Sequence, residues 1–243
     1  MPMPPTLEEQ RRHYDEWNAA HRSEDLDHIG PESRARALAL LEAVRALPGP
    51  PRRILEVGCG TGWLTEHLTR LGDVTGIDLS PRAVALARAR GLRAELRSGD
   101  FLREPLPEAG FDVVVCMDTI FYVYDQVAFV DRLAAMLRPG GHLVLDAINP
   151  FVYERWSVVG PPAPGQVRRW LDRRSLQRLL ERRFEVLATR TVLPRGDTGV
   201  LRLVNSVKLN RALEAVLDRE RIARAKEWLG LGHARLFVAR LRP

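Results

Sequence analysis

The chain has 243 residues, 45% of them hydrophobic and 28% charged, with a formal net charge of +6. That length suits one domain with a substantial core, no stretch approaches the roughly 18 uninterrupted apolar residues of a membrane span, and an N-terminus that runs from Met-Pro-Met-Pro-Pro-Thr into charge lacks the apolar core of a secretory signal, so a cytoplasmic protein is expected. The positive balance raises nucleic acid as a partner, but arginines alternate with acids in Glu181-Arg-Arg-Phe-Glu185 and Asp218-Arg-Glu-Arg221, the pattern of a solvated helix face, and argue against it.

Residues 1–47 predict an N-terminal helical cap, with helical signals over 7–18 and an amphipathic helix over 33–47 that carries Leu38, Leu41 and Val44 on one stripe. After the Pro48-Gly49-Pro50-Pro51 linker, Ile54-Leu-Glu-Val-Gly-Cys-Gly-Thr-Gly-Trp-Leu64 reads as a strand, a turn with three alternating glycines, and the start of a helix. Such a turn brings backbone close to a nucleotide-like ligand. The dinucleotide fingerprint would need a small residue where Trp63 stands, so that reading is disfavoured. Strands at about 53–58, 74–78, 93–97, 112–116 and 142–147 then alternate with helices at about 62–71, 81–90 and 126–137. In the last of these helices Val127, Val130, Leu133, Ala134 and Leu137 share a face. Alternation of this kind predicts a parallel sheet with right-handed crossovers. Residues 150–168 read as irregular, Asp172 as the cap of a helix over 173–182, and 184–193 and 234–241 as a sixth and a seventh strand. Cys59 and Cys116 read as small buried thiols.

Three acids fall at the ends of strand patterns. Glu56 lies inside the first strand, Asp78 follows 22 residues later, and Asp100, in Ser98-Gly-Asp-Phe101, another 22 on. A carboxylate about 20 residues after a glycine-rich turn sits at the tip of the next parallel strand, where it can accept both hydroxyls of a ribose. The bland alternatives are that Asp78 caps the following helix, for which Ser80 before Pro81 is the better cap, and that Ser-Gly-Asp is ordinary turn chemistry.

Over residues 54–148 these features, with the strand Phe111–Asp118 and the Leu137-Arg-Pro-Gly-Gly-His segment, resemble the class I (Rossmann-like) S-adenosylmethionine (AdoMet)-dependent methyltransferases. The resemblance implies an α/β fold: a doubly wound, mostly parallel seven-stranded sheet with helices on both faces and an antiparallel last strand. Residues 52–193 and 234–242 would form the core of a single domain. Residues 194–233 are a helical insertion where the family often has a short turn, and are either a lid over the substrate or a contact with a second copy in a homodimer. The resemblance further implies AdoMet as cofactor, with Gly58 and Gly60 under its ribose and methionine portion, Glu56 orienting that end, Asp78 on the ribose, and Leu79 on the adenine. Asp100 and Phe101 would lie at the adenine rim, Cys116 and Met117 at the strand end facing the methyl donor, and Tyr14 over the cofactor. The implied activity is methyl transfer to a small-molecule acceptor; RNA or protein methylation and a catalytically silent AdoMet-binding or assembly protein are the alternatives.

A general base is needed only for an acceptor that carries a proton. The candidates are His21, His28, Asp118 and Tyr122, with Tyr124 and Asn149 also able to face the pocket, and none stands out. Catechol-type relatives bind magnesium near Asp118, Asp146 and Asn149, but through adjacent Asp-Asn; here Ala147 and Ile148 intervene, and no metal is expected. Phe121, Tyr122, Tyr124, Phe151, Tyr153 and Trp156 either line an apolar acceptor pocket or pack loops onto helices.

Overall fold

The computed structural model describes residues 5–22, 29–49, 52–156 and 159–243, apart from the side chains of residues 21 and 22. Its strands are β1 (Arg52–Val57), β2 (Gly72–Asp78), β3 (Ala94–Ser98), β4 (Phe111–Cys116), β5 (Leu137–Ile148), β6 (Phe184–Pro194) and β7 (Gly232–Leu241). They form one sheet in the order β3-β2-β1-β4-β5-β7-β6. Neighbours from β3 to β5 pair in parallel, and β7 runs antiparallel to both β5 and β6. Chain order reverses between β1 and β4, so the crevice used by ligands in doubly wound sheets lies above those two strands.

Helices cover both faces. On one, α2 (Pro31–Ala46) and α3 (Trp63–Leu68) bury Leu40, Leu41, Val44, Leu64 and Leu68 against Ile54, Val113 and Val144. On the other, α5 (Gln126–Met136) and α7 (Arg173–Glu181) bury Phe129, Leu133, Leu176 and Leu180 against Leu55, Val114, Leu145 and Phe237. Alternate residues of the inner strands thus serve opposite faces, which is why these strands read as unbroken apolar runs. α4 (Pro81–Ala89) closes a smaller cluster of Val84, Ala87, Cys59 and Leu96. The expected caps are present: Ser80 Oγ accepts from Ala83 N at 3.0 Å, and Asp172 Oδ1 from Ser175 N at 2.9 Å.

Two stripe assignments need correction. Leu38 is 50% exposed and Val127 44% exposed, while Ala37 and Phe129 are buried. A strict three-to-four spacing does not decide which edge of a broad apolar stripe meets the sheet. The expected helix over 126–137 stops at Met136, and β5 begins at Leu137, five residues earlier than the expected strand at 142, because Leu137 pairs with Phe111 before a register shift whose extra residues lie in β5, ahead of His142 opposite Val113. The stretch after Asn149, read as irregular, opens with the short helix α6 (Pro150–Tyr153).

The insertion folds as α8 (Gly199–Val204), α9 (Val207–Glu214) and α10 (Arg219–Trp228). α10 is tied to β6 by Thr191 Oγ1, which donates to Glu227 O at 2.5 Å, and by Leu193 N, which donates to Glu227 Oε1 at 2.9 Å. At the other end of the chain α1 (Leu7–Arg22) docks on α4 through Asp15, whose Oδ1 accepts from Ser80 Oγ at 2.5 Å and Arg82 N at 3.1 Å. Among the described residues no helix is long and apolar enough to cross a membrane.

Candidate functional site

A cavity of about 530 Å³ opens at the carboxyl ends of β1, β2, β3 and β4, beneath α1. Glu56, Gly58, Gly60, Asp78, Leu79, Asp100, Phe101, Met117, Asp118 and Tyr122 all line it, brought together from four strand ends, and Tyr14 reaches it from α1. Cys116 does not: its thiol is fully buried in the core behind the strand end, and burial pushes its pKa up. Strand alternation explains the correction, since Cys116 and Met117 point to opposite sides. His28 and the side chain of His21 lie outside the described residues.

The glycine turn is shaped by its backbone. Gly58 N donates to Ile77 O at 2.8 Å, and at φ +83° a Cβ on Gly58 would stand 2.0 Å from Thr119 Oγ1. Gly60 has φ +52° and nothing within 4 Å of the same position, and its N–H is held by Asp78 Oδ2 at 2.9 Å. The second oxygen of Asp78 accepts from Ser80 N at 2.9 Å. Each carboxylate oxygen keeps a further lone pair for a ligand hydroxyl, and burial raises the Asp78 pKa despite these two donors.

Glu56 is buried, with Oε2 accepting from Thr65 Oγ1 at 2.6 Å. Burial, reinforced by nearby Asp78, lifts its pKa to about 8, against the Thr65 bond that lowers it. Tyr14 Oη is buried and has no hydrogen-bond partner among the described residues, while its ring meets Tyr122 edge-on at 5.6 Å. A buried hydroxyl without a partner on a residue that lines a cavity calls for an explanation, and a polar ligand would supply one. Asp100 Oδ1 accepts from Leu102 N at 3.0 Å, and Phe101 packs edge-on against Phe129 at 5.4 Å.

The floor at the β4 end rests on a buried ion network that the sequence did not disclose. Arg36 of α2, 3% exposed, donates from Nε to Asp146 Oδ2 at 2.6 Å and from Nη2 to Asp118 Oδ1 at 2.8 Å. Asp118 N donates to Asp146 Oδ1 at 2.7 Å, which holds Asp118 at φ +57°, a left-handed conformation rare outside glycine. Arg36 stands four residues before Leu40 and eight before Val44, so a lone arginine in register with a buried stripe was the available signal. Thr119, which donates to Met117 O at 2.8 Å and lines the cavity, was likewise missed. Asn149 is turned away from both acids, its Nδ2 donating to Gly230 O and Gly232 O at 2.8 Å each. Among the described residues no group of three or more His, Cys, Asp or Glu side chains could hold a metal ion.

Of the loop aromatics, Tyr122 and Tyr124 line the cavity, Phe121 is in the core, and Phe151 is exposed under the Arg155 guanidinium at 4.4 Å. No described residue of the insertion 194–233 lines this cavity, and α1 is the element laid across it.

Residues 55–145 match the family described as Methyltransferase domain. The chain is 35% identical over 159 residues to the ubiquinone biosynthesis O-methyltransferase of Xylella fastidiosa (strain 9a5c), covering 56% of this chain and 63% of the relative. It is 39% identical over 139 residues to the same-named enzyme of Xanthomonas axonopodis pv. citri (strain 306), covering 54% and 57%. The matched region thus spans about three fifths of these relatives' length. Among solved structures, N-methyltransferase NodS from Bradyrhizobium japonicum WM9 in complex with S-adenosyl-L-homocysteine superimposes with a TM-score of 0.67 at 20% identity, covering 97% of this chain and 99% of that one. The [4+2]-cyclase SpnF gives 0.66 at 22% identity, covering 99% and 97%. The matched domain, the strand order and the placement of the glycine turn and acids agree, and residues 55–145 are similar to a methyltransferase domain set in a sheet with the fold of those solved structures.

Proposed function

We propose that this chain binds AdoMet in the cavity beneath α1 and transfers its methyl group to a small-molecule acceptor. The observation that carries the reading is the convergence of Glu56, Asp78, Asp100 and the orphaned Tyr14 hydroxyl on one cavity of about 530 Å³, a size that suits a nucleoside-sized ligand. The residues present fit that ligand. Asp78 has lone pairs left for a ribose, Leu79 and Phe101 offer apolar surface for a base, and Gly60 leaves its approach free of a side chain. When bound, AdoMet supplies a sulfonium-activated methyl group to a nucleophile. The chain's own task is alignment, and holding reactants at near-attack distance lowers such barriers by several kcal/mol. Arg36 and Asp146 fix Asp118 at the wall where the acceptor would approach, and α1 supplies Tyr14, Trp17 and Asn18 to the cavity lining. The curated relatives are O-methyltransferases, which favours an oxygen acceptor.

Fold alone does not fix this chemistry, since the cyclase shares it. The test is calorimetric titration with AdoMet and with S-adenosylhomocysteine (AdoHcy), followed by transfer of a labelled methyl group to a panel of small phenols and amines. Asp78→Asn removes the charge from the ribose contact and is expected to weaken AdoHcy binding about 10- to 100-fold, as loss of charged hydrogen bonds does. No binding of either ligand would overturn the proposal; binding without transfer to any small acceptor would leave an AdoMet-binding protein of another role.

A further inference from the structure

A separate cavity of about 520 Å³ is bounded by the end of β6, the loop that follows it, α9 and α10. None of its lining residues lines the cavity beneath α1, so the insertion that stays clear of the first cavity encloses one of its own. Lys226 of α10 is on its wall and only 9% exposed, in a chain whose one other lysine is Lys208.

The Lys226 Nζ donates to Asn205 Oδ1 at 3.2 Å and to Asn210 Oδ1 at 2.7 Å. Both amides are held in that orientation from behind. Asn205 Nδ2 donates to Arg195 O and Gly196 O at 3.0 and 2.9 Å, and Asn210 Nδ2 donates to Ser206 O at 2.9 Å. Two neutral oxygens leave one N–H of the ammonium to spare. They also leave its charge uncompensated, since among the described residues no carboxylate comes within ion-pair distance of Nζ. A charge kept from water is costly without a counter-charge, and tying these segments together would need only a neutral donor. Burial pulls the Lys226 pKa down, and an anion beside it would act in the opposite direction.

The other cations on this wall already have acids. Arg219 Nε meets Glu214 Oε1 at 2.9 Å, and Arg195 Nη2 meets Glu32 Oε1 at 3.0 Å, although the buried Nε of Arg195 has no partner. Asp197 and Glu214 share the wall and disfavour a dianion such as phosphate, whereas a single negative charge matches the one ammonium. Trp156, Pro194, Ile222 and Ala223 supply apolar surface for an organic body.

We propose that this cavity is a second ligand site, which takes a small organic monocarboxylate: the carboxylate bonds Lys226 Nζ, and the body rests on Trp156 and Ile222. The site does not depend on the methyl-transfer reading. It lies across the start of α2 from the cavity beneath α1, because Arg195 is bonded to Glu32 and the next residue, Ser33, lines that first cavity.

The test is nuclear magnetic resonance of protein labelled with carbon-13 at lysine Cε, titrated with acetate, benzoate, neutral benzamide and inorganic phosphate at an ionic strength fixed with chloride. Lys208→Arg assigns the two lysine signals, since Lys208 is exposed and outside the cavity. The Lys226 signal should move saturably with acetate or benzoate, with Lys208 and the benzamide titration unmoved. By calorimetry Lys226→Met should bind the carboxylate at least about tenfold more weakly, as loss of a charged hydrogen bond does. A Lys226 signal unmoved by both carboxylates, or moved as far by benzamide, overturns the site and leaves Lys226 as a structural tie. A stronger response to phosphate overturns the monocarboxylate assignment. Should Lys226→Met fail to fold, the wild-type titration decides alone.

Discussion

Removing the guanidinium of Arg36 is the sharpest test of how the cavity floor is built. Arg36→Met keeps most of the stem and its packing but leaves Asp146, whose side chain is 3% exposed, with no compensating cation. Asp118 is 37% exposed and can draw on solvent, so its pairing contributes less than the 2.8 Å contact suggests. Breaking one partner of a buried ion pair costs about 3–5 kcal/mol. With the Asp118 share discounted, a loss of about 3–4 kcal/mol at pH 7 is expected, read from urea unfolding, or roughly 10 °C in thermal midpoint for a chain of this size. Burial already raises the Asp146 pKa against the pull of Arg36. Without Arg36 the carboxyl gains a proton more readily, so the deficit of the variant should shrink as pH falls below neutral. Arg36→Met combined with Asp146→Asn removes the stranded charge, and the double variant should be more stable than Arg36→Met alone, a coupling that a mutant cycle isolates. A loss under about 1 kcal/mol, or no recovery in the double variant, would refute the reasoning.

Further expectations concern the ligand side of the cavity. The Glu56 carboxyl, held at about 8 against an ordinary 4.5, keeps a proton that the unfolded chain releases, so wild-type stability should fall as pH rises from about 4.5 to about 8, and Glu56→Gln should flatten that slope in urea titrations across the range. A cationic ligand group beside Glu56 would favour its ionised form. AdoHcy binding by the wild type at pH 7 should therefore release up to one proton, seen as a buffer-dependent heat that vanishes in Glu56→Gln. Gly58→Ala forces a methyl onto Thr119 at φ +83° and should cost clearly more stability in thermal unfolding than Gly60→Ala, where φ is +52° and the space is open. Tyr14→Phe deletes a buried hydroxyl that has no partner; the ligand-free protein should keep or slightly gain stability, while AdoHcy binding weakens severalfold by calorimetry.

Local chemistry made much of this protein legible from its residues. The alternation of apolar runs with helical periods prescribes the doubly wound sheet, because strands buried on both faces cannot be polar on either. The glycine turn and the acids at 56, 78 and 100 announce the cavity, because backbone approach and strand-end placement are set within a few residues of each. What remained hidden depends on contacts between distant segments. The Arg36 side chain meets carboxylates 82 and 110 residues away, and a single arginine on an apolar stripe does not say which acids it will find. Cys116 and Met117 are neighbours in sequence but face opposite sides of the strand end, so only the packed sheet decides which one a ligand can touch. The cover over the cavity was decided in the same way. Residues 194–233 have helical pattern enough for a lid, yet Glu227 pins α10 to β6, while Asp15 finds the start of α4 and lays α1 across the opening. Hydrophobic pattern specifies which elements form; long-range hydrogen bonds and ion pairs, which carry no local period, specify where they come to rest.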